Sequence, residues 1–334
     1  MKIIVPMAGM GKRMRPHTLM TPKPLLPIAG KPIVQRLVED IAKVCDQAID
    51  EVAFIIGPSF GKQVEEELVK VAENLGAKGT ICYQHDPLGT AHAILCAESA
   101  LEGNVIVAFA DTLFKADFTL DAEKDGILWV KQIEDPSAFG VVKLNESGEI
   151  TDFVEKPKEF VSDLAMIGIY YFKDGANLKQ ELQYLIDNNI IKGGEYQLPD
   201  ALKNMTEKGL RFAPGEVEEW LDCGNKNATV ETNQRVLEFN RNTALIATSA
   251  KVNQAVIIEP CYIGENVVIE KSIIGPHVSI HSNTTISNSV IENSIVYANT
   301  SLKNVNLTNS MIGNFVKLDH GQKIASIGDY TTEN

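Results

Sequence analysis

The feature that most constrains this fold is a regular spacing of aliphatic residues near the end of the chain. Twelve recur at intervals of five or six residues, with mostly Gly, Asn, Ser and Thr between them: Ile257, Ile263, Ile269, Ile274, Ile280, Ile286, Ile291, Val296, Leu302, Leu307, Ile312 and Leu318. An α-helix, with about 3.6 residues per turn, does not match this interval. A β-helix does, because each short strand contributes one aliphatic side chain to an interior column and small polar residues form the corners. Chance alternation in a β-sandwich is the alternative.

The preceding part of the chain alternates apolar runs of strand length with amphipathic segments of helix length. Strands are predicted at residues 3–5, 51–56, 79–83 and 104–109, and helices at 31–45, 61–75 and 90–101. This alternation indicates a doubly wound, mostly parallel, Rossmann-like α/β sheet that binds ligands at the carboxyl ends of its strands. The opening loop, residues 84–90 and Asp111 should therefore converge on one crevice.

Shorter alternating runs after Asp111 indicate antiparallel strands inserted beside the parallel sheet. These strands are predicted at 126–130, 140–144, 150–154 and 166–172, followed by helices at 178–188 and 198–208, a short strand at 210–213 and a closing helix at 229–240. A chain of 334 residues exceeds one typical core. We therefore predict two domains, an α/β domain at 1–242 and a β-helix domain at 243–334.

Composition indicates an ordinary globular protein, with 44% hydrophobic and 22% charged residues. The formal net charge of −13 argues against nucleic acid as a partner, since binding a phosphate backbone requires an extended basic surface. No signal-peptide pattern or membrane-spanning run is present, so we expect a cytoplasmic protein without a membrane partner. Five cysteines are scattered without metal-type spacing, as expected of reduced thiols.

Charge is segregated at the start of the chain. Seven Lys or Arg residues precede the first acidic residue, Glu39. Within this stretch an apolar strand opens into Ala8-Gly9-Met10-Gly11, followed by Lys12 and Arg13. Glycines let a backbone approach a ligand closely and the cations supply charge, so this loop is predicted to bind a polyanion.

Two familiar phosphate-binding motifs do not match this loop. A nucleoside-triphosphatase P-loop requires a hydroxyl residue after Gly-Lys, and here Arg13 follows Lys12. A dinucleotide-binding GxGxxG motif requires glycine where Met14 stands, and a bulky side chain there would obstruct helix–strand packing. The remaining pattern is GxGxR followed by a segment rich in Pro and Lys.

That pattern resembles the signature of sugar-1-phosphate nucleotidylyltransferases, roughly GGxGTRxxPxTxxxPKxLLPxxxKP. The matching residues are Gly9, Gly11, Arg13, Pro16, Thr18, Pro22, Lys23, Leu25, Leu26, Pro27, Lys31 and Pro32. Ala8 and Lys12 depart from it. The AGxGxR form is similar to the UDP-glucose branch, whereas Pro-Lys-Pro-Leu-Leu-Pro is similar to the dTDP-glucose and GDP-mannose branches. The resemblance therefore leaves open which nucleotide base the protein binds.

The resemblance implies an enzyme that makes an NDP-sugar and pyrophosphate from a sugar 1-phosphate, glucose 1-phosphate being preferred, and dTTP or UTP. It also implies a left-handed hexapeptide β-helix with about four coils, which we expect to support a homo-oligomer. The alternatives are a mannose-1-phosphate guanylyltransferase and a silent regulatory paralogue. A bifunctional enzyme whose β-helix acetylates amino sugars would require a catalytic histidine and longer coils than the short tail at 328–334 suggests.

Nucleotidyl transfer needs charge neutralisation, in-line positioning and a divalent metal held by oxygen ligands. The resemblance assigns Arg13 and Lys23 to the triphosphate and the transferring phosphate. It assigns Mg²⁺ to Asp111, after the apolar run at 105–109, and to Asp222 in Trp-Leu-Asp-Cys-Gly. Two carboxylates suit Mg²⁺, which takes its remaining ligands from phosphates and water.

The resemblance also assigns the two substrates to separate sets of residues. The sugar phosphate is assigned to Gly140, Glu155, Lys156, Gly168 and Glu195, although Pro199 replaces the usual Thr nearby. The nucleotide is assigned to Gly9, Gly11, Gln84, Gly89 and Thr90. No role is assigned to the six histidines, including His92, which follows the base-binding segment.

Overall fold

The structure is a computed structural model that describes residues 1–116 and 119–320. It divides into two compact units, Met1–Leu26 with Lys31–Asn225, and Pro27–Gly30 with Lys226–Asn334. The predicted tail at 328–334 lies outside the described residues. The boundary predicted after residue 242 differs from this division, because the closing helix belongs to the second unit.

The elements up to Asn225 begin with strand and helix in alternation and end with strands. They are β1 (Lys2–Pro6), β2 (Pro27–Ile28), β3 (Lys31–Pro32), α1 (Ile33–Val44), β4 (Glu51–Ile56), α2 (Lys62–Glu73), β5 (Lys78–Tyr83), α3 (Thr90–Leu95), β6 (Val105–Ala108), β7 (Thr112–Lys115), β8 (Gly126–Gln132), β9 (Gly140–Leu144), β10 (Ile150–Glu155), β11 (Leu164–Phe172), α4 (Gly175–Asp187), α5 (Leu198–Glu207), β12 (Phe212–Glu216) and β13 (Glu219–Asp222). Short 3₁₀ helices lie at Lys12–Met14, Lys23–Leu25 and Pro58–Phe60.

The main sheet of the first unit has nine strands in the order β5-β4-β1-β6-β11-β8-β12-β10-β9. The first four are mutually parallel, as the alternating pattern predicts, and all six residues of β4 are buried. The later strands, including antiparallel β11, β9 and β10, extend the same sheet. Strand β1 lies between β4 and β6. The order in which strands join the sheet reverses there, since β4 and β5 are added on one side of β1 and β6 on the other, and a crevice opens at the carboxyl end of β1.

Helix α3 is shorter than the predicted helix at 90–101. It ends at Leu95, after which backbone N–H groups donate to carbonyls three residues earlier, as from Ala97 to Ile94 and from Glu98 to Leu95. Ala97, Ala100 and Leu101 are nevertheless fully buried. The apolar spacing therefore predicted the buried positions correctly, although after Leu95 the backbone forms successive tight turns and not an α-helix.

From Lys226 onward, the described part of the second unit contains one helix and thirteen short strands, in addition to β2. They are α6 (Lys226–Phe239), β14 (Lys251–Asn253), β15 (Val256–Ile257), β16 (Cys261–Ile263), β17 (Val268–Glu270), β18 (Ile273–Ile274), β19 (Val278–Ile280), β20 (Thr285–Ser287), β21 (Val290–Glu292), β22 (Ile295–Val296), β23 (Ser301–Lys303), β24 (Asn306–Thr308), β25 (Met311–Ile312) and β26 (Lys317–Asp319). Every third strand pairs in parallel, which makes three parallel sheets, as in a left-handed β-helix.

The periodic aliphatic residues form the interior of this β-helix, which confirms the prediction from their spacing. The column from Ile263 through Val296 is fully buried, and Leu302 is almost fully buried. Asparagines turn many corners in the left-handed conformation, which asparagine tolerates better than most residues. Asn283 also bridges neighbouring coils, since its amide bonds to Asn266 at 3.2 Å and to Asn299 at 3.3 Å.

Helix α6 is joined to the β-helix by side-chain hydrogen bonds. Asn233 Oδ1 accepts from Ser279 Oγ at 2.6 Å and from the backbone N–H of Ala29 at 3.2 Å. His277 Nε2 lies 2.5 Å from Glu238 Oε1. These contacts explain why the helix belongs to the second unit.

Two further findings concern the described part of the chain. It contains no helix with the length and apolar character needed to cross a membrane. All five cysteines are free thiols, as their spacing predicts.

Candidate active site

A cavity of about 270 Å³ opens at the carboxyl end of β1 in the first unit. Its walls come from the opening loop, the segment after β5 and the end of β6, so the segments predicted to converge do so. The predicted site residues that line it are Gly9, Gly11, Lys23, Gln84, Gly89, Thr90, Asp111 and Glu195. Arg13, Gly140, Glu155, Lys156, Gly168 and Asp222 do not line it.

Strands β7 and β13 form a separate two-stranded antiparallel ribbon that joins the two aspartates. In its register Asp222 lies opposite Thr112, the residue after Asp111, and the backbone N–H of Cys223 donates to the Asp111 carbonyl at 2.8 Å. Two carboxylates from distant parts of the chain thus meet at one end of the ribbon. The resemblance assigns both carboxylates to one Mg²⁺, whereas the ribbon that joins them is not predicted by the sequence pattern.

Lys23 and Asp111 form an ion pair at the cavity wall. Lys23 Nζ lies 2.7 Å from Asp111 Oδ2, and the lysine side chain is only 14% exposed while that of Asp111 is 36% exposed. The 3₁₀ helix that contains Lys23 follows Pro22, which favours its start, and Pro24 occupies its first turn. The cation is therefore held in place, with its charge partly shielded from water.

Asp222 lies in the same electrostatic environment. Burial raises the pKa of its carboxyl and the Asp111 carboxylate raises it further, whereas the Gly224 N–H, Lys23 and Arg13 lower it. The Gly224 backbone N–H donates to Asp222 Oδ1 at 2.9 Å. Arg13, Lys23, Asp111 and Asp222 therefore form one group of interacting charges.

This carboxylate pair fits the Mg²⁺ that the resemblance implies. The Asp111 carboxylate opposes the ionisation of Asp222, a cost that a bound divalent cation would relieve. Within residues 1–116 and 119–320, no cluster of three or more His, Cys, Asp or Glu side chains could hold a metal on its own. Mg²⁺ typically takes one or two carboxylates and completes its shell with phosphate oxygens and water, so the donor set suits this ion.

The opening loop needs glycine at Gly11 for a steric reason. This residue has a left-handed φ of 57°, and a Cβ there would lie 3.0 Å from Thr18 Cγ2 and 3.1 Å from Lys23 Cβ. The Thr18 hydroxyl donates to the Gly11 carbonyl at 2.8 Å and closes the loop. A Cβ at Gly9 would meet nothing within 4 Å, so the protein itself does not require glycine there.

The residues predicted to bind the sugar phosphate form a second group. A Cβ at Gly140 would lie 2.8 Å from Glu155 Oε2, and Lys156 Nζ lies 3.7 Å from Glu155 Oε1. Burial raises the pKa of Glu155, Lys156 lowers it, and the Glu195 carboxylate raises it again. Glu195 lines the cavity, so it links this group to the cavity wall. Gly168, with φ of 88°, accepts from the Phe109 N–H at 2.9 Å and lies beside the end of β6.

The residues predicted to bind the nucleotide base contact the backbone of the segment around Tyr196. A Cβ at Gly89 would lie 2.4 Å from the Tyr196 carbonyl oxygen, and the Tyr196 N–H donates to the Leu88 carbonyl at 2.8 Å. The Thr90 hydroxyl accepts from the Leu198 N–H at 3.0 Å. Gly89 is therefore required by a close backbone approach.

Residues 2–238 match the family model described as Nucleotidyl transferase. The chain belongs to the nucleotidyl transferase family. This nucleotidyl transferase is 30% identical over 246 residues to the low-salt glycan biosynthesis nucleotidyltransferase of Haloferax volcanii, a match that covers 71% of the chain and 66% of the relative. It is 31% identical over 233 residues to the mannose-1-phosphate guanylyltransferase catalytic subunit beta of Drosophila melanogaster, covering 67% of the chain and 59% of the relative.

The nucleotidyl transferase thus spans less than two thirds of the length of these two curated relatives. Its fold is similar to a crystal structure of UDP-glucose pyrophosphorylase complexed with UDP-glucose. That match has a TM-score of 0.58 and 23% identity and covers 71% of this chain and 98% of the other. At this identity the likeness concerns the fold alone.

Sequence reasoning missed two residues that shape the site. Gly224 holds Asp222 through its N–H, and a Cβ there would lie 2.9 Å from Asp222 Oδ1 and 3.4 Å from an Arg13 terminal nitrogen. The glycine two residues after Asp222 was a visible signal. His92, which was given no role, contacts the amide of Gln84 at 3.2 Å. No pattern in the sequence indicates that contact.

Proposed function

We propose that this nucleotidyl transferase joins a sugar 1-phosphate to a nucleoside monophosphate unit taken from a triphosphate, releasing pyrophosphate. Glucose 1-phosphate with dTTP or UTP is the preferred pair. The observation that carries the proposal is the charge group formed by Lys23, Asp111, Asp222 and Arg13 beside a cavity in a chain of this family.

The reaction makes one phosphorus–oxygen bond and breaks another. A phosphate oxygen of the sugar 1-phosphate attacks the α-phosphorus, and the bridging oxygen leaves with pyrophosphate. Lys23 and Arg13 bind the phosphate oxygens and stabilise the negative charge that develops there. Asp111 and Asp222 would hold Mg²⁺, which when bound supplies further charge neutralisation.

Binding of the sugar phosphate is assigned to the second group. Glu155 accepts hydrogen bonds from sugar hydroxyls, and its partly buried carboxylate strengthens those bonds. Lys156, whose side chain is 66% exposed beside Glu155, binds the sugar's phosphate with its ammonium group. Gly140 and Gly168 offer backbone groups.

A substrate panel tests the proposal. The full chain is incubated with Mg²⁺, each of dTTP, UTP, GTP, CTP and ATP, and each of several sugar 1-phosphates, and pyrophosphate release is measured. We expect release only when both substrates are present, with glucose 1-phosphate and dTTP or UTP the fastest pair. Absence of release from every pair would refute the function.

Mannose 1-phosphate with GTP is the second candidate, because a relative that is 31% identical carries that substrate pair in its name. The same panel distinguishes the two candidates. We also propose that the β-helix supports a homo-oligomer rather than a second active site.

A further inference from the structure

The amide of Gln84 is held at the cavity wall by two contacts of its nitrogen. Gln84 Nε2 lies 3.4 Å from the Gly89 carbonyl oxygen and 3.2 Å from His92 Nδ1. Among the described residues, no hydrogen bond involves the amide oxygen of Gln84. The oxygen is therefore the amide atom left for a ligand in the cavity that Gln84 lines.

The chemistry of the two partners determines which amide atom faces them. A carbonyl oxygen can only accept, so the atom facing Gly89 must be the NH₂ group. The same NH₂ group meets His92 Nδ1, so that ring nitrogen must accept as well. An imidazole accepts at Nδ1 only when it is neutral and carries its proton on Nε2.

The surroundings of His92 favour this neutral form. Its side chain is partly buried on the first turn of α3, and burial lowers the pKa of the imidazole, although the nearby Asp86 carboxylate opposes that shift. Both protons of the Gln84 NH₂ group then have acceptors, and the amide cannot turn over without losing both contacts.

We propose that His92 is a positioning residue that turns Gln84 Oε1 towards the base, so that the site selects bases with a ring N–H. This inference rests on the proposed function. Uracil and thymine at N3 and guanine at N1 carry such a proton, whereas cytosine at N3 and adenine at N1 carry a lone pair. A lone pair on the base facing Oε1 of the half-buried Gln84 sets two acceptors against each other, which costs affinity.

The first test needs no variant. Binding of UTP, dTTP, GTP, CTP and ATP to the full chain is measured by calorimetry with Mg²⁺ present. We expect the triphosphates with a ring N–H to bind at least about tenfold more tightly than CTP and ATP, because a hydrogen bond is replaced by two opposed acceptors. CTP or ATP binding as tightly as UTP would overturn the inference.

The second test separates positioning from a structural role. His92→Phe keeps the ring but removes the acceptor, so the ratio of UTP to CTP affinity should fall about tenfold, mainly through KM for UTP with little change in kcat. His92→Asn supplies a carbonyl acceptor and should retain part of that ratio. His85→Phe is the matched control, because this exposed neighbour makes no contact with the Gln84 amide. An unchanged ratio in a folded His92→Phe protein would refute the role of His92.

The two tests also separate this inference from the proposed function. Turnover of UTP and CTP at equal efficiency would leave the nucleotidyl transfer intact and overturn only the base rule. Binding of triphosphates with the expected preference, without pyrophosphate release from any sugar 1-phosphate, would support the base rule and refute the function. Failure of all five triphosphates to bind would overturn both.

Discussion

Asp111 and Asp222 share one end of the β7–β13 ribbon with Lys23 and Arg13 close by. Asp111→Asn and Asp222→Asn each remove a charged ligand while keeping the side-chain size. We expect each to lower turnover by about 10²–10⁴-fold, because charge stabilisation of the transferring phosphate is lost. Pyrophosphate release measures the effect, and circular dichroism checks the fold. Glu146→Gln, at an exposed turn, is the control. Near-normal turnover in either Asp variant would refute the metal assignment.

Gly224 offers a steric test of the same site. In Gly224→Ala the new Cβ would lie 2.9 Å and 3.2 Å from the two Asp222 oxygens, so the carboxylate must move. We expect a loss of turnover of at least about tenfold with a smaller loss of stability, since the neighbouring atoms belong to side chains at the site. At Gly313 a Cβ would meet only Val316 at 3.8 Å, so Gly313→Ala should have no such effect. Equal activity in both variants would contradict this account of Gly224.

At the scale of single residues, the sequence predicted the chemistry of the site better than its geometry. The opening motif identified Gly11 and Lys23 because their spacing is local. It could not show that Lys23 pairs with Asp111, since that contact joins residues 88 positions apart in the chain.

The corners of the β-helix allow a direct test of what a left-handed backbone conformation costs in stability. Asn283 has φ of 59°, a conformation that costs a residue with a Cβ about 1–2 kcal/mol. Asn283→Ala and Asn283→Gly both lose the ladder to Asn266 and Asn299, but only Ala retains the strain. We therefore expect the Ala variant to be less stable than the Gly variant by about 1 kcal/mol, after allowing for the entropy of glycine.

Chemical denaturation of the two Asn283 variants measures this difference. The same pair of substitutions at Asn306, inside strand β24, is the control. There glycine should be the less stable residue, because the backbone is extended. The same order at both positions would contradict the role assigned to the left-handed corner.

The burial of His281 makes the stability of the β-helix depend on pH. The imidazole is 7% exposed, lies between the rings of Tyr262 and Tyr297 at 5.4 Å and 5.5 Å, and burial lowers its pKa to about 4. The imidazole of the folded protein binds a proton more weakly than that of the unfolded chain. The folded state therefore has its full stability above pH 6.5, and part of that stability is lost as the pH falls from 6.5 to 4. The shift corresponds to roughly 3 kcal/mol.

His281→Phe should therefore flatten the change in the free energy of unfolding between pH 7 and about pH 4.5. Urea denaturation at several pH values measures it. His85→Phe, which alters an exposed imidazole outside the β-helix, is the matched control. A His281→Phe protein with an unchanged pH dependence would show that another group is responsible.

At the scale of elements, regular patterns were predicted and irregular ones were not. The interior column of the β-helix and the parallel strands β5, β4, β1 and β6 follow from periodicity, which reports the buried face directly. Helix α3 was predicted too long because apolar spacing cannot distinguish an α-helix from successive tight turns that bury the same side chains.

At the scale of the whole molecule, the division after Asn225 predicts which properties a truncated chain keeps and which it loses. A chain that ends at Arg241 keeps α6 but loses Ser279 and His277, the partners of Asn233 and Glu238. We expect this chain to unfold at a lower temperature and to lose the proposed oligomer, while it still binds a nucleoside triphosphate, because the cavity is lined by the first unit. Light scattering, thermal unfolding and calorimetry measure the three effects. An unchanged oligomer would refute the role proposed for the β-helix.

The sequence by itself determined the two architectures and the opening loop rich in glycine and cations, because each is encoded in local periodicity or in a motif of fixed spacing. Only the tertiary structure decided that the β7–β13 ribbon joins Asp222 to Asp111, that α6 belongs with the β-helix and that His92 contacts Gln84. These contacts depend on which distant segments or side chains meet when the packing of the whole chain is optimised. Local patterns do not encode that choice, since the same strand or helix could pair with several partners.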